Sequence, residues 1–97
     1  MQLFESGADG NVTWISKKGT VGTSPVVTET MSNARHIVLY NIHASNTIYF
    51  TLDGTTPTSS SFNLLAGASI SMDGLPATAS LKLLGSGSGT TYSLLGW

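Results

Sequence analysis

The side chains able to do chemistry in this 97-residue chain are few: His36 and His43, five carboxylates (Glu5, Asp9, Glu29, Asp53 and Asp73) and four cations (Lys17, Lys18, Arg35 and Lys82), with no cysteine. Successive strand side chains point to opposite faces, so histidines seven positions apart on one strand face opposite ways and cannot share a metal. Asp9, Asp53 and Asp73 each precede a glycine, the pattern of an aspartate that caps a turn through its own backbone. Calcium would need several converging oxygens and a glycosidase two carboxylates fixed across a cleft, and the spacing supplies neither. The run Gly85-Ser86-Gly87-Ser88-Gly89 has no following helix to aim a nucleophile and no lysine to hold a phosphate, so it reads as a hairpin tip. Asn11-Val12-Thr13 matches the glycosylation sequon, which matters only on a secretory route. These residues predict a structural or binding protein rather than an enzyme, with no catalytic residue, metal or cofactor.

Aromatic and large apolar groups are the better candidates for function. Tyr49 points away from the face shared by Ile48, Phe50 and Leu52, and Trp14, Tyr92 and Trp97 lie near chain ends or strand edges. Such groups anchor protein interfaces and can also stack on sugar rings. Phe4, Trp14, Ile15, Tyr49, Tyr92 and Trp97 are therefore the predicted interface residues.

Composition narrows the partner. Only 9 % of the residues are charged, against about 25 % in average globular chains. The net charge is −1 and no basic run exceeds two residues, which argues against nucleic acid and anionic membrane as partners. No apolar run approaches the ~18 residues of a membrane span. No basic segment followed by an apolar one opens the chain, so synthesis in a cytoplasm without a signal peptide is expected. A surface of Ser, Thr and Gly with little charge suits an assembly better than a free monomer.

The elements that must carry these groups are strands. The run from Ala34 to Asp53 contains Ile37-Val38-Leu39-Tyr40-Asn41-Ile42, apolar on both faces, and an alternating run with Ile48, Phe50 and Leu52 on one side. The first fits a central strand covered on both sides, or on one side by another subunit. His43 to Asn46 could join the two as a hairpin. Further strands are expected at Val26 to Thr30, Ser61 to Leu65, Ala68 to Met72, Thr78 to Leu84 and Thr90 to Leu95, the last two crowding a closing hairpin. The breakers between them are Gly54 to Thr58, Ala66-Gly67, Asp73 to Pro76 and the Gly/Ser run. The predicted fold is all-β, an antiparallel β-sandwich or jelly roll of seven to eight short strands over residues 25–97. Residues 1–24, rich in Gly and polar residues, are expected to form an extended N-terminal arm ordered by a neighbour.

Two family resemblances attach to these residues. Ile48-Tyr49-Phe50-Thr51-Leu52-Asp53-Gly54-Thr55-Thr56-Pro57-Thr58 resembles the Y-x-T-x-D-G-[ST]-x-P-[TS] motif of small β-sandwich modules appended to chitobiase-type and other polysaccharide-degrading enzymes, which implies a carbohydrate-binding module. The wider layout is similar to small tailed-phage virion proteins: a polar arm, Val26-Val27-Thr28, the Arg35 to Asn41 strand, Ile48-Tyr49-Phe50, Leu64-Leu65-Ala66-Gly67 and a closing Leu94-Leu95-Gly96-Trp97. That resemblance implies a head decoration or cement protein, commonly a homotrimer, seated on the major capsid protein at the virion surface. A tail-fibre or baseplate component would share the fold.

Overall fold

The computed structural model describes residues 14–31 and 33–97. Among the described residues the period-two patterns resolve into eight strands: β1 (Ile15–Val21), β2 (Val27–Glu29), β3 (Ile37–Asn41), β4 (Ile48–Thr51), β5 (Phe62–Leu64), β6 (Ser69–Met72), β7 (Leu81–Gly85) and β8 (Thr90–Gly96). They form two four-stranded sheets, ordered β1-β8-β3-β6 and β2-β7-β4-β5, and every strand pairing is antiparallel. The first strand pairs with the last, the second with the seventh, the third with the sixth and the fourth with the fifth. This is one long ribbon turned back on itself between β4 and β5 and rolled so that successive pairs fall in alternate sheets, which is the jelly-roll topology.

The rolled topology overturns two local expectations. His43 to Asn46 and the Gly85 to Gly89 run do not close hairpins. The strands on either side of each lie in different sheets, β3 and β8 in the first, β4 and β7 in the second, so both segments are crossings at the rim of the sandwich. Two-residue turns would have favoured hairpins; longer, Gly-rich or polar connections allow the chain to change layer. Of the three Asp–Gly pairs, Asp9-Gly10 lies outside the described residues and the other two behave as expected. Asp53 Oδ1 accepts from the Thr55 amide and Asp73 Oδ1 from the Gly74 amide, while Gly54 and Gly74 take the left-handed conformation that a side chain disfavours.

The core lies between the sheets. Ile37, Leu39, Tyr92, Leu94 and Val21 of the first meet Ile48, Phe50, Leu64, Leu81 and Leu83 of the second. Ile48 and Phe50 are buried as their alternation requires, and Ser69 and Ser71 of β6 face solvent. β3 is an interior strand of its sheet but is dry on one side only. Ile37, Leu39 and Asn41 are fully buried, whereas Tyr40 is 44 % exposed.

The expectation of an arm over residues 1–24 is corrected for Ile15–Val21, which is β1, paired along its whole length with β8. Residues 1–13 lie outside the described residues. The strand escaped the sequence pattern because its inward positions are Ile15, Lys17, Gly19 and Val21, only two of them apolar. Lys17 Nζ reaches the buried Glu29 of the opposite sheet at 3.0 Å. Gly19 leaves room for the ring of Tyr92, its cross-strand partner, whose hydroxyl donates to Glu29. A cation and a glycine thus stand where alternating hydrophobics would signal a strand.

Candidate functional site

The outer face of the first sheet gathers residues that are far apart in the chain. The register aligns Ser16, Leu95, Val38 and Ser71 in one cross-strand row, and Lys18, Ser93, Tyr40 and Ser69 in the next. One step beyond the strand ends the same register brings together Trp14, Trp97, His36 and Asp73. The Trp14 and Trp97 rings stack with centroids 5.4 Å apart, and His36 stacks on Trp97 at 4.2 Å and 17°. The backbone fixes this column. Arg35 and His36 amides both donate to the Trp97 carbonyl at 3.0 Å, and the Trp97 amide donates back to the His36 carbonyl at 2.9 Å.

The imidazole is held on its other sides as well. His36 Nε2 lies 3.1 Å from Ser71 Oγ and Nδ1 lies 3.3 Å from Asp73 Oδ1. That order of hydroxyl, imidazole and carboxylate is the connectivity of a serine nucleophile and its base. Serine catalysis also wants a buried carboxylate and oxyanion donors in a water-excluded site. Here Asp73 is 83 % exposed and Ser71 stands exposed on the outer face of an edge strand. In this setting Ser71 and Asp73 orient the ring against Trp97. Sequence reasoning missed the trio because Ser71 and Asp73 lie more than thirty residues from His36 and only the β3·β6 register joins them.

The same face is almost uncharged. Three of the five exposed large hydrophobics of the described chain, Trp14, Tyr40 and Leu95, lie on it. A shallow depression of about 530 Å³ is bounded by Lys18, Val38, Tyr40 and Leu95.

A second apolar feature opens where the two sheets part, between the edge strands β5 and β6. Phe50, Leu52, Phe62, Ile70, Met72 and Leu75 line a groove of about 680 Å³, with Asp53 at its rim. Phe62 is 65 % exposed and rests against Phe50 with centroids 5.4 Å apart. The Thr55 hydroxyl and amide both donate to Asp53 and hold its carboxyl below the ordinary carboxylate range. Carbon-detected NMR titration is expected to place the Asp53 midpoint below that of an aspartate in a model peptide, and Thr55→Val to move it back toward the ordinary value. A lowered carboxylate helps the fold above its unfolded-state pKa and loses that help as pH falls through the folded one. The Thr55 contacts of this turn therefore loosen on acidification.

The predicted interface residues fall into three groups. Trp14 and Trp97 are brought together at one end of the exposed face, and Tyr49 is half-buried on the outer face of the second sheet, beside Leu84 and Asn63. Ile15 and Tyr92 are corrected: both are buried in their own core and offer nothing to a partner. Tyr92 was misplaced because its strand has apolar residues on both faces, so composition could not say which was inner. Phe4 lies outside the described residues. Among the described residues no three His, Asp or Glu side chains gather as a metal site. Set beside known proteins, the chain matches no family model, no curated protein and no solved structure.

Proposed function

We propose that this chain is a virion structural protein, a capsid decoration or cement protein that binds over junctions of the major capsid protein and stabilises the shell. The observation that carries the reading is the Trp14–Trp97–His36 column. Tryptophan is enriched among residues that dominate binding energy, and side chains already fixed by stacking and by backbone bonds lose little freedom when a partner covers them. Trp14 keeps 55 % of its surface exposed. The scarcity of charge and the resemblance of the sequence layout to that of small tailed-phage virion proteins support the same reading. Function on this reading is mechanical. Each contact is modest, and several copies engaging neighbouring capsid subunits at once make the hold strong.

Co-sedimentation with expanded heads assembled from the major capsid protein of the proposed virion tests the proposal. The wild-type protein is expected to pellet with the heads. Trp14→Ser is expected to reduce that binding at least roughly tenfold, as loss of a central tryptophan anchor does, with the fold kept as judged by near-ultraviolet circular dichroism. Failure of the wild type to pellet, or full binding by Trp14→Ser, overturns the reading. So does retention on insoluble polysaccharide that depends on Trp14, since the free face of the Trp14 ring would then be a sugar platform.

A further inference from the structure

The outer face of the first sheet carries an apolar patch whose border has one sign of charge. Val38, Tyr40 and Leu95 bound its depression together with Lys17 and Lys18, and no carboxylate lines it. Tyr40 and Leu95 are both exposed. Lys17 is committed to the buried Glu29, which leaves Lys18 as the exposed cation of this surface. The groove between β5 and β6 is different. Asp53 lies at its rim and Lys82 stands across from Thr51 beside it, so charge selects no occupant there.

Residues 1–13, which lead into Trp14, match the patch in chemistry. They contain Leu3, Phe4 and Val12, the carboxylates of Glu5 and Asp9, and no Lys, Arg or His. They are also attached beside it. With ~3.3 Å per residue along a strand and ~4.8 Å between strands, the β1·β8 and β3·β8 registers put Leu95 about 8 Å and Tyr40 about 17 Å from Trp14. Phe4 lies ten residues ahead of Trp14, and a tether of that length spans about 16–19 Å on average. A tether matched to its span holds the attached group at an effective concentration on the order of millimolar. The patch of the same copy is therefore favoured over that of any other copy at ordinary protein concentration.

We infer that residues 1–13 fold back over the outer face of their own first sheet, Phe4 covering Val38, Tyr40 and Leu95 and Glu5 meeting Lys18. The apolar contact supplies most of the hold and the ion pair sets its direction, because an exposed pair is worth little by itself. The segment then takes its order from its own subunit and not from a neighbour. The inference goes beyond the decoration reading and does not depend on it, since the Trp14–Trp97–His36 column lies past the strand ends, off the covered patch.

Photo-cross-linking of the full chain, with p-benzoylphenylalanine in place of Phe4, tests it. Irradiation is expected to join the new side chain to Val38, Tyr40 or Leu95, read by mass spectrometry of the digested product. In an equal mixture of isotopically light and heavy protein the joined peptides are expected to come from one copy. Lys18→Glu is expected to lower the yield about 1.5- to 5-fold, the scale of one exposed ion pair, and Glu5→Lys added to Lys18→Glu to restore it. Attachment to Phe62, Ile70 or Met72 overturns the inference, because the segment would then occupy the groove. Products that join light to heavy protein overturn it as well, because the segment would then lie on a second copy. So does a yield no higher than in denaturing urea, and so does a yield that Lys18→Glu leaves unchanged.

Discussion

Replacing Asn41 by alanine is expected to destabilise the domain by about 3 kcal/mol or more, because each buried group left without a hydrogen bond costs about 1–3 kcal/mol. Asn41 ends β3 with no solvent exposure. Its Nδ2 donates to the carbonyls of Asn46 at 2.8 Å and Leu64 at 2.9 Å, and its Oδ1 accepts from the His43 amide at 3.1 Å. One side chain therefore holds the crossing from the first sheet to the second and ties it to the end of β5. Its own backbone is engaged as well, the amide donating to Ala68 and the carbonyl accepting from Gly67. The crossing is further fixed by His43 Nδ1, which accepts from the Ser45 and Asn46 amides, but those bonds act within the loop and cannot replace the link to Leu64. For a domain of this size about 1 kcal/mol moves Tm by roughly 4–8 °C, so a drop of at least ~12 °C is expected. Asn41→Asp is expected to be no better, since a carboxylate would face two carbonyls without a proton to give. Urea denaturation checks both. A loss below ~1 kcal/mol for Asn41→Ala, within the range of an ordinary hydrogen bond, would mean that water reaches these groups and that the side chain is not the tie between the sheets.

Gly19→Ala is expected to cost a further large fraction of the stability, about 2–4 kcal/mol from overpacking together with a lost buried hydrogen bond. A Cβ at this position would lie 2.5 Å from Cζ of Tyr92, and the ring has nowhere easy to go. Tyr92 is buried against the core, and its hydroxyl is committed to Glu29, which is itself paired with Lys17. Burial and the neighbouring Glu29 carboxylate both push the phenol above its ordinary pKa, so it stays a neutral donor wherever the fold is stable. Gly19, Lys17, Tyr92 and Glu29 form one unit that joins β1 and β8 of the first sheet to β2 of the second. Residues in one network do not add independently. Gly19→Ala combined with Tyr92→Leu is therefore expected to be clearly less destabilising than the sum of the two single substitutions. Additive losses, measured as shifts of the denaturation midpoint at unchanged slope, would show that the ring moves aside freely.

These two residues also mark where the sequence could and could not be read. Alternation placed Ile48 and Phe50 in the core and Ser69 and Ser71 outside, because a sheet with one dry face imposes a period of two on its side chains. The Asp-Gly pairs at 53–54 and 73–74 announced turns for equally local reasons. The all-β class, the sandwich and the small number of charges were therefore determined by the sequence itself. β1 was hidden, because its inward positions are completed from outside the strand, Lys17 by Glu29 and Gly19 by the Tyr92 ring.

Tertiary structure alone decided which strands are partners, and with that the candidate site. Nothing local distinguishes a hairpin from a crossing at His43 to Asn46 or at Gly85 to Gly89. The choice rests on the rolled pairing of β1 with β8 and β3 with β6, contacts between distant segments that become favourable only once the layers close over a common core. The same pairing sets Trp14 on Trp97, His36 between Ser71 and Asp73, and Phe62 over an open groove. Residue type could nominate Trp14 and Trp97. Only register, which fixes neighbours across strands, could set them side by side and withdraw Ile15 and Tyr92 into the core.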